Sequence, residues 1–474
     1  MAKPRTAFVK GSQNQKARQL PLFEIEMERP SPSSENGASV FSDPAFASNK
    51  TLPLHRWVPW IAGFSRDFVR DALNRYLDGQ GTVLDPFSGV GTTLVEAILL
   101  GHNTFGFEIN PYAAFTCRVK TNAYQISVET LYDELVKFQT FYDEKTTLGY
   151  DYTPKSSPPK GFKTRSEFYS PKVLKKVLIV CDFIDTIQDL EVRDLFRLAF
   201  ASTMVHYSNY SYEPSLGRRV SAGKKEILDF PVARVITEKL TDMAEDIVWF
   251  QSRLSGRRPI TQIIRDSFFH CQSYLAPDSV DLIVTSPPYL NNYHYNRNTR
   301  PQLYWLGYAK RPQDLKPLES LNFGKFWQTV RDQGALELDF SLPDTDIAER
   351  LQTLRRLHPE KGVYGGSGWA NYAAAYFNDC YRFALGICYV LKPGGTALVV
   401  IGNSILQGIL IPTDQYFGEI ARSVGLELVQ IDIARATRVG NSIIQSDVRV
   451  AKAKASHQLY EAVVELRKSQ MCQK

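Results

Sequence analysis

The sequence has no cysteine framework: Cys117, Cys181, Cys271, Cys380, Cys388 and Cys472 are scattered, with no CxxC pair. That spacing argues against a disulfide scaffold or a zinc finger and points to a reducing, cytoplasmic setting. No apolar run approaches the roughly 18 residues of a membrane-spanning helix, and Met1 leads into Ala-Lys-Pro-Arg-Thr with no apolar segment. Neither a signal peptide nor a membrane partner is expected. No internal repeat is visible, and neither sign of charge dominates. Lys plus Arg number 56 and Asp plus Glu 50, a net +6 spread along the chain, which admits a polyanionic partner without requiring one. What is present in quantity is core-forming material. At 43% hydrophobic and 12% aromatic residues, the 474-residue chain can bury a full core. At roughly 150 residues per domain, it holds two or three domains or one enlarged α/β domain.

Residues 1–50 read as a flexible arm: Lys3, Arg5, Lys10, Lys16 and Arg18 precede the Pro/Ser/Asn/Gly-rich stretch 30–37. Apolar residues then recur at helical spacing (Phe64, Phe68, Val69, Ala72, Leu73, Tyr76) before Gly79-Gln80-Gly81 and the short strand Thr82-Val83-Leu84. A glycine-rich turn starting at Asp85, a helix from about Leu94 and a second strand ending at Glu108 complete a βαβ unit within residues 51–120. Residues 121–260 read as a helical insertion. The α/β pattern resumes over 261–455 with the apolar strand 280–284. It contains an irregular, aromatic and basic segment at 290–370, a helix near 371–390 and a strand at 396–401. Residues 426–433 and 447–453 are expected to pair as a terminal antiparallel hairpin, and 456–474 to form a helix or tail. The fold class is α/β: a Rossmann-like, doubly wound, mostly parallel sheet with a helical insertion.

The first chemical signal is the turn Asp85-Pro86-Phe87-Ser88-Gly89-Val90-Gly91-Thr92-Thr93. Two glycines let backbone pass close to a ligand, and Glu108 falls where such a fold places an acceptor for ribose hydroxyls. The Gly-Lys-Ser/Thr ending of a phosphate-binding loop is missing, which disfavours a triphosphate. An acidic residue opening the turn suits an adenosine that carries a cationic amino-acid moiety, as S-adenosylmethionine does. Read alone, the glycines also fit a tightly packed turn.

Together, this turn, Phe107-Glu108-Ile109-Asn110-Pro111 and Thr285-Ser286-Pro287-Pro288-Tyr289 resemble the amino-group DNA methyltransferases, which modify cytosine N4 or adenine N6. The segment from His55 and Trp57 to Ser65 is similar to the family's element around the methionine part of the cofactor. Arg265-Asp266-Ser267 resembles its acidic element at the adenine amino group, and Leu391-Lys392-Pro393-Gly394-Gly395 with Asn403-Ser404 its late strand. The resemblance covers about half the chain. It implies S-adenosylmethionine held by His55, Trp57, Asp85, Pro86, Phe87, Ser88, Gly89, Gly91, Thr92, Thr93, Glu108, Ile109, Asp266 and Ser267. It also implies catalysis by Ser286, Pro287, Pro288 and Tyr289, and a restriction–modification setting with a cognate endonuclease.

The tetrapeptide suits the chemistry. An exocyclic amine has its lone pair delocalised into the base, and two acceptors aimed at its N–H groups free that lone pair. Ser286 Oγ and the Pro287 carbonyl supply them on a loop that proline stiffens, while Tyr289 offers a ring to an extruded base. No Pro-Cys pair is present to serve a C5-cytosine mechanism. Serine in first position resembles the N4-cytosine members. N6-adenine methylation, RNA guanine-N2 methylation and a non-catalytic DNA-binding protein stay open as alternatives. For double-stranded DNA, two basic and aromatic segments qualify: one with Tyr295, Arg297 and Arg300 running through Tyr304 and Trp305, the other with Arg218 and Arg219. His270 and Cys271 read as a buried structural pair rather than metal ligands, so no metal is expected.

Overall fold

The computed structural model describes residues 41–470 except 45, 61, 62, 64, 148–150, 213–215, 291–294 and 437–458. The chain divides into residues 1–31 and 32–474, and every described residue belongs to the second unit. The basic arm therefore lies outside the described residues. Its expected boundary at 50 moves back to at least residue 41. Phe41 is buried against Phe68, ring centroids 5.6 Å apart, and Pro44 accepts a backbone hydrogen bond from Ser65.

In chain order the strands are β1 (Thr82–Asp85), β2 (Asn103–Phe107), β3 (Tyr210–Tyr212), β4 (Leu216–Arg218), β5 (Thr261–Ile264), β6 (Val280–Thr285), β7 (Leu391–Gly402), β8 (Ser404–Leu406), β9 (Ile409–Ile411), β10 (Leu426–Ala436) and β11 (Tyr460–Lys468). Seven of them form one sheet in the order β10-β11-β7-β6-β1-β2-β5. Neighbours from β5 through β7 pair in parallel, and β11 runs antiparallel to both β7 and β10. The order reverses between β1 and β6, so the turns after these strands open on one crevice, the usual ligand site of an open α/β sheet.

Helices cover both faces because the central strands are apolar on both sides. On one face, α1 (Arg66–Tyr76) and α2 (Thr92–Leu100) pack Phe68, Val69, Leu73 and Ala97 against Val83, Leu282, Val284 and Val400. After α3 (Pro111–Thr121), the insertion contributes α4 (Val128–Thr146), α5 (Pro171–Ile184), α6 (Leu190–Thr203) and α7 (Val232–Leu254), with β3 and β4 as a hairpin between α6 and α7. These four helices share a core that also takes up Leu303 and Tyr304. The segment expected as irregular holds short helices: α8 (Tyr295–Asn298), α9 (Arg300–Trp305), α10 (Lys316–Leu321), α11 (Trp327–Val330) and α12 (Ile347–Arg355). Helices α13 (Gly366–Val390) and α14 (Thr413–Ser423) cover the other face of the sheet, where Phe383, Ile387 and Phe417 meet Ile283, Val399 and Val464. No described helix is long and apolar enough to cross a membrane.

One expectation fails. The antiparallel partner of β10 is Tyr460–Lys468, within the stretch expected as helix or tail, while 447–453 lies outside the described residues. Glu461, Glu465 and Lys468 imitate helical spacing. Pairing on both edges and burial of Ala462, Val463, Val464 and Leu466 make the segment a central strand instead.

Candidate active site

The turn after β1 is organised by the Asp85 carboxylate. Its Oδ1 accepts from the backbone N–H of Phe87 at 3.0 Å and from Thr285 Oγ1 at 2.7 Å, and its Oδ2 accepts from Thr93 Oγ1 at 2.8 Å. Burial nonetheless pushes its pKa up to about 6. Gly91 stands at φ 84°, where an added Cβ would lie 2.6 Å from Cys117 Sγ on α3, so this position has room only for glycine. Ser88 donates from its N–H and its hydroxyl to the Phe107 carbonyl, and Thr92 is buried at the start of α2. Asp85, Ser88, Gly91, Thr92 and Thr93 thus set the shape of the turn. Pro86, Phe87 and Gly89 line the cavity in front of it.

Across that cavity stands Glu108. Its Oε2 accepts from the Gly89 N–H at 2.9 Å and its Oε1 from the Asn110 N–H at 2.7 Å. Burial, with the Asp85 charge adding to it, pushes the pKa to about 7. Ile109, Asp266 and Ser267 share the lining with Phe107, Phe268 and Phe323. Burial tends to raise Asp266, but hydrogen bonds from Tyr274 at 2.8 Å and His270 at 3.0 Å, with the Ser267 N–H, hold it below the usual carboxylate range. The cavity therefore combines aromatic walls, close backbone at Gly89 and two carboxylates at different depths. That donor and acceptor set fits a ligand with a flat ring, vicinal hydroxyls and a positive charge, as S-adenosylmethionine has.

Ser286 and Pro288 line the same cavity, and Pro287 between them in sequence is buried. Helix α13 braces the loop: Tyr376 Oη donates to the Pro288 carbonyl at 3.1 Å and Tyr372 Oη to that of Leu290. The ring of Tyr289 turns from the cavity to β7. It lies 3.3 Å from where a Cβ on Gly402 would sit, and its hydroxyl donates to Glu461 Oε1 at 3.3 Å. Asn403 accepts from the Tyr460 N–H, and the Ser404 hydroxyl is buried without a partner; neither lines the cavity.

His55 and Trp57 are both buried, and neither lines the cavity. His55 Nε2 meets Glu96 Oε1 at 2.7 Å, and Trp57 Nε1 donates to Asp246 Oδ2 of α7 at 2.8 Å. Trp60, three residues on, supplies the wall instead, with its Nε1 3.3 Å from where a Gly89 Cβ would sit. Leu321, Asn322 and Phe323 are further lining residues that no local motif marks. His270 departs from expectation: it is exposed, and Cys271 alone is buried. The reason is that His270 Nδ1 reaches outward to the Asp266 carboxylate. Among the described residues no group of three His, Cys, Asp or Glu could hold a metal ion.

The two candidate DNA-reading segments come together. Tyr212 Oη donates to the Asn298 carbonyl at 3.0 Å and the Leu216 N–H donates to Asn298 Oδ1 at 3.4 Å, seating the β3–β4 hairpin on α8. Arg218 and Arg297 are exposed, and Arg219 donates to the Lys225 carbonyl. Arg300 is committed elsewhere. It donates to the Lys163 carbonyl at 3.0 Å and lies over the rings of Phe162 and Tyr304. Tyr304 is buried, and Trp305 packs against Tyr169 and Phe200. The Tyr295 side chain lies outside the described residues.

The fold is the α/β, Rossmann-like arrangement of methyltransferases. The N6/N4 family model described as DNA methylase matches residues 6–116. The chain is similar to the type II methyltransferase M.BsoBI of Geobacillus stearothermophilus, 24% identical over 436 residues, covering 84% of this chain and 83% of that one. M.AvaI of Nostoc sp. is 23% identical over 418 residues, 84% of each chain, and M.MvaI of Kocuria varians 25% identical over 349 residues, 71% and 73%. In these matches the chain is similar to amino-group DNA methyltransferases, and that family and fold imply S-adenosylmethionine as methyl donor.

Proposed function

We propose that the chain methylates the exocyclic N4 of cytosine in double-stranded DNA, in the cytoplasm, as the modifying half of a restriction–modification pair with a cognate endonuclease. The observation that carries this reading is the shared cavity: Ser286 stands on the same wall system as Gly89, Glu108 and Asp266. When bound there, S-adenosylmethionine supplies an electrophilic methyl group on a sulfonium. Glu108 accepts the ribose hydroxyls, Asp266 accepts from the adenine side, and Phe87, Phe107, Ile109 and Ser267 enclose the remainder. Ser286 Oγ and the Pro287 carbonyl accept from the two N–H groups of the target amine, holding its lone pair out of the base plane. The braced loop keeps both acceptors in place before the base arrives, so little reorganisation is needed at the reacting nitrogen. The ring of Tyr289, which lies outside the cofactor cavity against β7, is the surface on which the extruded base would stack. Arg218 and Arg297 contact phosphates.

The test is incubation with tritiated S-adenosylmethionine and mixed DNA sequences, followed by mass analysis of the nucleosides and mapping of the modified base. N4-methylcytosine is expected. N6-methyladenine would move the target to adenine and leave the DNA methyltransferase reading standing, whereas DNA binding without methyl incorporation would overturn it.

A further inference from the structure

Asn110 touches both halves of the site proposed above. Its backbone N–H donates to Glu108 Oε1 at 2.7 Å, on the cofactor cavity. Its Oδ1 caps α3 by accepting from the Tyr112 N–H at 3.0 Å, and its Nδ2 donates to Thr299 Oγ1 at 2.8 Å. Asn110 and Thr299 are both buried. Thr299 precedes α9 and follows Asn298, the residue on which the β3–β4 hairpin is seated through Tyr212 and Leu216. A path therefore runs from the carboxylate on the cofactor cavity, through the backbone and side chain of Asn110 to Thr299, across the 298–299 peptide link, and by the bonds to Asn298 into the hairpin that carries the exposed Arg218.

We infer that Asn110 is a positioning residue through which cofactor and DNA reinforce each other's binding, an inference that rests on the methyltransferase reading. A ligand on Glu108 fixes the turn 108–110. The Asn110 amide, already anchored as a helix cap, then has one direction in which to present Nδ2. Thr299 and the hairpin are ordered with it, so a DNA backbone arriving afterwards meets a surface whose ordering cost has been met. The effect is reciprocal: DNA must tighten the cofactor by the same factor. The quantity that reports this device is the coupling factor between the two ligands.

The experiment measures, by fluorescence anisotropy, the affinity of the full chain for a short labelled duplex carrying the mapped target sequence, with and without S-adenosylhomocysteine. The wild-type protein is expected to bind the duplex at least about fivefold tighter with the cofactor product present, the lower end of ordinary coupling. Thr299→Val, which removes the acceptor for Asn110 Nδ2, should bring that factor below about twofold, and Thr299→Ser, which keeps the hydroxyl, should restore it. Tyr212→Phe removes the side-chain bond of the two that seat the hairpin on Asn298 and should also lower the factor, which guards against a folding defect specific to position 299. A merely structural role would weaken both ligands and leave their ratio intact. Absence of coupling in the wild-type protein, or coupling that survives in both Thr299→Val and Tyr212→Phe, overturns the inference while the methyltransferase reading stands. A wild-type protein that binds neither ligand overturns both.

Discussion

Thr285 Oγ1 donates a 2.7 Å hydrogen bond to Asp85 Oδ1, two hundred residues away, and so pins the last residue of β6 to the last residue of β1. Ser286 follows the first of these and the cofactor turn follows the second. One buried bond thus sets the distance between the loop proposed to hold the target amine and the proposed methyl-donor site. Thr285→Val should cost about 1–3 kcal/mol of stability, because Asp85 loses a donor in a place water does not reach. It should also slow methyl transfer more than it weakens cofactor binding, since Thr93 and the Phe87 N–H still hold the turn. Denaturant unfolding and single-turnover transfer measure the two effects, and unchanged transfer would remove the alignment role.

Ser286 lines the cavity, and among the described residues no hydrogen bond engages its hydroxyl. Ser286→Ala should therefore leave the fold and cofactor affinity nearly unchanged. It should lower methyl transfer at least about tenfold, or 1.4 kcal/mol of barrier, because one of the two acceptors for the amine is gone. Titration calorimetry with S-adenosylhomocysteine beside tritium incorporation separates the two. An equal loss in both would reassign Ser286 to cofactor binding.

Gly89 has φ 50° and meets the Trp60 indole where a side chain would begin. Gly89→Ala is strained on both counts and should weaken cofactor binding about tenfold or more, the size expected for 1–3 kcal/mol of backbone strain. Trp60→Ala should weaken it too, without backbone strain, and should remove most of the tryptophan fluorescence change on cofactor binding. A fluorescence change that survives Trp60→Ala would place the indole outside the ligand's reach.

Asp85 and Glu108 carry pKa values near 6 and 7 in the folded chain, against ordinary values of 3.8 and 4.5. Both are raised by burial, so between those limits the folded state keeps protons that the unfolded state releases. Stability of the ligand-free protein should fall as pH rises from about 4 to about 7 and then level off. A cationic ligand favours the ionised carboxylates, so the rise in melting temperature given by S-adenosylmethionine should grow over about pH 6 to pH 8. Thermal scans at several pH values with and without cofactor check both slopes. A ligand-induced shift that does not change with pH would mean that Glu108 does not face the bound cofactor.

The glycine turn, the strand before Ser286 and the parallel order of the sheet were legible because each rests on local rules: apolar strands, glycine where φ is positive, a carboxylate at a strand end. What was not legible depends on distant partners. His55 and Trp57 sit in a stretch that resembles a cofactor element, but Glu96 and Asp246, 41 and 189 residues away, claim their side chains and leave Trp60 to form the wall. Asn322 and Phe323 reach the cavity from the segment 290–370, and nothing in their neighbours marks them. In β11 the polar residues at helical spacing masked a strand whose identity comes from its partners β7 and β10.

That strand also supplies the last side chain to test. Glu461 on β11 lies opposite Gly402 of β7, and its Oε1 accepts from the Tyr289 hydroxyl at 3.3 Å; burial raises its pKa, against the pull of Arg435. Gly402 leaves room for the ring, and Glu461 holds the hydroxyl end. If Tyr289 stacks on the extruded base, Glu461 acts only through it. Glu461→Ala and Tyr289→Phe should each raise the KM for DNA about fivefold, the weight of one hydrogen bond near 1 kcal/mol, with cofactor affinity unchanged. In the double variant the second change should add little, because the same bond is already lost. Steady-state kinetics on the four proteins gives the cycle. Fully additive effects would show that Glu461 serves the sheet rather than the ring, and a loss confined to cofactor binding would take Tyr289 out of the base site altogether.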